Sequence, residues 1–138
     1  MQQCRFLLTI LPSPALSAEV DRIRASLFDT IGSFSGRLTR PHLTLCFLDL
    51  AAEHQGAIEH AIATGVSGRT GFVLHYDGIR HFPERRTIFI EPVEKDAIAG
   101  VRRSVMAALR SEARLREAVI ETEHPHLTLA AGLKPAQF

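Results

Sequence analysis

The chain has 138 residues, of which 46% are hydrophobic and 22% charged, and its formal net charge is +1. That size and mix fit one soluble globular domain burying about two thirds of its unfolded surface, and they argue against a disordered chain, a collagen-like repeat or a coiled coil. No apolar run approaches the ~20 residues needed to span a bilayer, and so small a charge exerts no global pull toward nucleic acid or membrane.

In chain order, Cys4–Leu11 is a short apolar run ended by proline and predicts a buried strand. Residues 1–18 loosely resemble a secretory signal, but the apolar stretch Phe6–Leu11 is short, contains Thr9 and follows no basic cluster. A strand turning at Pro12-Ser13-Pro14 is the better reading, and a cytoplasmic location is expected. Ser17 is the expected helix cap, with Glu19 in the first turn and Val20, Ile23, Leu27 and Ile31 at helical spacing before Gly32. His42–Leu48 predicts a second strand and residues 52–64 a second helix. Gly71–Gly78 predicts a strand, followed by a loop at His81-Phe82-Pro83 and a strand at Thr87–Ile90. A helix over 95–112 follows from Ile98, Val101, Val105 and Leu109, and strands at Ala118–Ile120 and His126–Ala130 close the chain. Helices mixed with hairpin-like strand pairs favour an α+β fold with an antiparallel or mixed sheet.

Cys4 and Cys46 are too few for a disulfide framework and read as buried thiols. The basic residues are 14 arginines against two lysines, Lys95 and Lys134. Arginine's planar fork suits phosphate recognition, although genome composition gives the same bias.

One feature stands above this background. Pro41-His42-Leu43-Thr44-Leu45 recurs as Pro125-His126-Leu127-Thr128-Leu129, 84 positions later. A five-residue match is rare by chance and points to a duplicated half with two equivalent sites. Alternation along a strand puts His42 and Thr44 on one face and Leu43 and Leu45 on the other, and the second copy does the same. Each copy therefore buries two leucines and presents an imidazole beside a hydroxyl. Displacement at phosphorus needs a base for the attacking oxygen and an acid for the leaving oxygen, and histidine serves as either near neutral pH. Two threonine hydroxyls can hold the non-bridging oxygens. This chemistry needs no metal and no cofactor.

These motifs resemble the paired His-x-Thr-x motifs of the two-histidine (2H) phosphoesterase superfamily, in particular its RNA 2',3'-cyclic phosphodiesterase / 2'-5' RNA ligase-like branch. Arg5 to Pro12 is similar to that branch's opening strand, His42 to Leu48 to its first motif, and Phe72 to Ile90 to its central hairpin. The resemblance implies one domain over residues 1–138 with a bilobal, pseudo-two-fold α+β fold, one motif in each lobe, and sheets lining a cleft with helices outside. It further implies metal-independent hydrolysis of a 2',3'-cyclic phosphate or 2'-5' phosphodiester, with His42 and His126 as acid and base and Thr44 and Thr128 holding the phosphate. The expected partner is an RNA terminus or a small cyclic nucleotide. RNA-acting relatives often carry arginine where this chain has Ala131, and many are longer, so a small cyclic phosphate is as well supported as RNA.

Arg40 and Arg86 are candidates for further phosphate contacts, and Phe82 for stacking on a base. Two other readings compete. His124 and His126 with Glu121 or Glu123 form a possible zinc set, which leaves the first motif unexplained. A non-catalytic RNA- or nucleotide-binding module would keep the cleft, but intact His and Thr in both copies argue for turnover.

Overall fold

The computed structural model describes residues 3–122 and 124–137. It contains six strands and three helices in the order β1 (Gln3–Ile10), α1 (Pro14–Ile31), β2 (Leu43–Ala51), α2 (Gln55–Val66), β3 (Tyr76–Phe82), β4 (Thr87–Pro92), α3 (Lys95–Ser111), β5 (Val119–Glu121) and β6 (Leu127–Ala130). The strand pairs with a described register are all antiparallel, so the fold is α+β, as the residue pattern predicts. The chain divides into two compact units.

The first unit takes the residues up to Thr9, Thr44–His75 and Glu94–His124. In it β2 lies beside β1 and pairs with β5, with Phe47 opposite Ile120. Arg5 grips Asp49 through two hydrogen bonds of 2.7 and 2.8 Å. The core joins Cys46 and Leu48 of β2 to Ile58 and Ala61 of α2, Val105, Met106 and Leu109 of α3, and Leu115. Gly65 lets α2 meet α3 closely, because a Cβ there would stand 2.8 Å from the Val105 Cα.

The second unit takes Ile10–Leu43, Tyr76–Val93 and the chain from Pro125 onward. Here β3 pairs with β4, β4 with β6, and β6 with Leu43 at the start of β2. Helix α1 supplies Val20 to a core with Ile90, Leu127 and Leu129. The motif leucines are all buried: Leu43 and Leu127 are 0% exposed, Leu129 1% and Leu45 2%. At roughly 1.5–3 kcal/mol for each leucine removed from water, these four side chains anchor the motif strands.

Several sequence expectations shift. Helix α1 starts earlier than Ser17, because Ser13 caps it through its hydroxyl (3.2 Å from the Leu16 N–H) and Pro14 fits the first helical position. The strand expected at Gly71–Gly78 lies later in the chain: residues 71–75 are irregular, and Phe72 and Val73 stay exposed. Tyr76–Phe82 forms that strand, because it is the stretch that finds a partner in β4. His81 and Phe82 are therefore strand residues. Cys4 is exposed, whereas Cys46 is buried. Phe47 is half-buried, because the buried positions of β2 change from Leu43 and Leu45 to Cys46 and Leu48, where the α2–α3 core covers the strand. The units carry unequal helix sets, α2 and α3 in one and α1 in the other.

Candidate phosphoester site

In each copy of the repeat, the prolines and histidines lie just outside the strand and the Leu-Thr-Leu follows inside it. His42, Thr44, His126 and Thr128 are all partly exposed, while their leucine neighbours are sealed. This division follows from strand alternation, in which one face packs and the other stays accessible.

The register draws members of both copies together. Leu43 and Leu127 are antiparallel partners. His42 precedes Leu43 just outside β2 and Thr128 follows Leu127 on β6, so both flank this pair on the same side, on the parity opposite the leucines. His126 precedes Leu127 as His42 precedes Leu43, so each histidine adjoins the pair that joins the two copies. His42, His126 and Thr128 all belong to the second unit. Thr44 opens the next segment of β2, and its carbonyl accepts a hydrogen bond from the Thr122 hydroxyl at 3.1 Å.

The chain matches the sequence profile of the 2'-5' RNA ligase superfamily over residues 12–138. It belongs to that superfamily, the 2H phosphoesterases. No curated protein gives a significant match.

For a 2H phosphoesterase the protonation geometry at His42 is informative. Its Nδ1 lies 2.8 Å from the Arg40 carbonyl. A carbonyl only accepts, so Nδ1 carries the hydrogen, and the neutral ring keeps its lone pair on Nε2. Arg40 thus orients His42 through its backbone, while its side chain is exposed.

His126 is held differently, against an aromatic pair. Its ring meets Phe82 edge-on, with centroids 5.0 Å apart, and Phe89 at a tilt at 5.1 Å. Phe82 and Phe89 stack on each other at 4.2 Å, and the Arg85 guanidinium lies 4.3 Å from the Phe82 ring centre. Phe82 therefore packs against Phe89, Arg85 and His126 at once. Phe89 was legible from the sequence only as a strand residue, because its role depends on the β3–β4 and β4–β6 registers.

Behind these strands lies Arg24, 3% exposed. Its guanidinium donates to the carbonyls of Thr39 (2.6 Å), Thr128 (2.7 Å) and Leu129 (2.9 Å). It therefore ties the segment leading to His42 to the strand that carries Thr128. Burial lowers its pKa from the usual arginine value, opposed by the charge of Asp21. The sequence held a signal for this residue: Arg24 follows Val20 by four positions, on the apolar stripe of α1.

Arg86 sits at a left-handed backbone position (φ 45°), and its carbonyl accepts from the Leu133 N–H at 3.1 Å, while its side chain is exposed. Of the possible zinc ligands, Glu123 lies outside the described residues. Glu121 is engaged by Arg102 at 3.2 Å and by Arg110 at 3.9 Å. Among the described residues, no three His, Cys, Asp or Glu side chains gather as a metal centre would require.

Proposed function

We propose that the protein is a metal-independent phosphodiesterase that opens a 2',3'-cyclic phosphate, or cleaves a 2'-5' phosphodiester, at an RNA end or on a nucleotide. One His-x-Thr-x pair from each copy of the motif supplies the groups, within a single domain over residues 1–138. The observation that supports this reading is the Leu43–Leu127 pairing, which joins the two copies of the motif, in a family of phosphoesterases and ligases.

In the cyclic case, one histidine takes a proton from water as its oxygen bonds to phosphorus. The bond from phosphorus to the 2' or 3' ribose oxygen breaks, and the other histidine gives its proton to that oxygen. The products are an opened phosphate monoester and an enzyme that recovers its starting protonation by exchanging one proton between the histidines through solvent. Thr44 and Thr128 donate to the non-bridging oxygens as charge builds on them. The hydrogen bond from His42 Nδ1 to the Arg40 carbonyl makes Nε2 the nitrogen that takes or gives the proton. Either histidine fills either role, according to the side on which the leaving oxygen binds. Arg40 and Arg86 lend positive charge to the phosphate. Phe82, whose ring packs against His126, is the candidate ring for stacking on a base.

The test is hydrolysis of a 2',3'-cyclic mononucleotide in EDTA by the wild type, His42→Ala and His126→Ala. The wild type is expected to turn over, and each variant to lose at least ~100-fold, the low end for a general acid or base. Activity abolished by EDTA, or kept by both variants, contradicts the reading. Tight binding without turnover would make the protein a nucleotide-binding module instead.

A further inference from the structure

The arginines of the second unit divide into two sets. Arg22 and Arg80 pair with Glu19 and Glu91, and Arg24 is consumed by backbone carbonyls. Arg37, Arg40, Arg85 and Arg86 have no carboxylate partner among the described residues. Of these four, Arg85 is fixed toward one of the two motif histidines. Its guanidinium lies over Phe82, and Phe82 meets the His126 ring edge-on. Measured through the Phe82 ring, the distances of 4.3 and 5.0 Å put the Arg85 guanidinium carbon no more than about 9.3 Å from the centre of the His126 ring. A guanidinium stacked on a ring spends its flat face there and keeps its in-plane N–H groups for an anion.

The backbone around Arg85 is also set in advance. Arg85 ends a single 3-10 turn that begins at Pro83, and its carbonyl accepts from the Thr87 hydroxyl at 3.2 Å. The next residue is the left-handed Arg86, which the Leu133 N–H anchors. An arginine with a constrained main chain, a stacked side chain and no carboxylate partner among the described residues is pre-organised, which lowers the entropy cost of binding a phosphate.

From this geometry we infer that Arg85 binds a second phosphate, the phosphodiester one nucleotide upstream of the reacting group. Arg85 thereby extends the contact surface beyond the single nucleotide that carries the reacting group. This inference rests on the phosphodiesterase reading above and extends it from the reacting phosphate to its neighbour.

Binding is the readout that separates the two. Calorimetry would compare a nucleoside 3'-monophosphate with a dinucleotide bearing a 3'-terminal phosphate, across a range of salt, for the wild type, Arg85→Ala and Arg85→Lys. The wild type is expected to prefer the dinucleotide, and Arg85→Ala to cut that preference about tenfold, as befits a charge-assisted hydrogen bond. In Arg85→Ala, the slope of log affinity against log salt for the dinucleotide should flatten by about 0.7, the value for one phosphate contact on a single strand. Arg85→Lys keeps the charge and should keep most of that slope.

Equal weakening of both ligands by Arg85→Ala would mean that the residue only supports Phe82 and His126, and would overturn the inference. Equal wild-type affinity for the two ligands would overturn it as well, and in both cases turnover of a cyclic mononucleotide leaves the parent reading standing. A wild type that binds neither ligand and turns over no cyclic nucleotide sinks both.

Discussion

At the scale of single residues, the two copies of the motif use one sequence to hold their histidines in two ways. His42 is oriented by a hydrogen bond to the Arg40 carbonyl, and His126 by the edges and faces of Phe82 and Phe89. Thr128 adjoins the Leu43–Leu127 pair, as His42 does, and holds the phosphate in the proposed reaction, so Thr128→Val should lower kcat by about 10²-fold, the low end for losing one oxyanion donor, with a smaller change in KM. Steady-state kinetics on a cyclic mononucleotide reads this, and a change confined to KM would move Thr128 out of the reacting site. The cysteines give a separate check on the packing. Burial pushes the Cys46 thiol up to about 11, whereas Cys4 is exposed. A thiol reagent at pH 8 should therefore modify one cysteine in the folded protein and both after denaturation; rapid modification of both in the folded protein would contradict this packing. The alternation of His, Leu, Thr and Leu was readable from the sequence, because parity along a strand is a local property. The environments of Phe82 and Cys4 were not, because they depend on which strand pairs with which.

At the scale of elements, the motif strands are sealed on one side and fastened from behind by α1. Leu127 and Leu129 bury against Val20, and Arg24 spans the carbonyls of Thr39, Thr128 and Leu129. Arg24→Met keeps bulk but leaves three carbonyls without their donor, so unfolding should become easier by about 3 kcal/mol or more. Arg24→Lys keeps the charge but loses the planar fork that reaches separate carbonyls, and is expected to recover only part of that loss. Chemical denaturation with an unchanged m-value checks both, and a shift under about 0.5 kcal/mol in Arg24→Met would refute the clamp. The order and type of all nine elements followed from periodicity and from Pro and Gly stops. The displaced strand did not, since Phe72 and Val73 fit a strand pattern yet find no partner, while Gly78 (φ 89°) and polar residues sit inside β3. Pairing with β4 outweighs local propensity there.

At the scale of the whole molecule, a net charge of +1 conceals an uneven use of arginine. In the first unit, Arg5, Arg102, Arg110 and Arg114 are paired with carboxylates and, among the described residues, Arg69, Arg103 and Arg116 are not; in the second, Arg22 and Arg80 are paired. There Arg37, Arg40, Arg85 and Arg86 are not so paired among the described residues, and this unit also holds His42, His126 and Thr128. Composition alone cannot reveal this, because the pairing is set by the fold and the total charge is blind to it. The central claim is that two histidines on one face divide acid and base work between them. The pH dependence of kcat/KM for a 2',3'-cyclic mononucleotide, in EDTA, tests it most directly. The wild type should give a bell-shaped profile, and the residual activity of His42→Ala and of His126→Ala should each lose a different limb of that bell. A profile that keeps both limbs in both variants would show that the acid and the base are other groups.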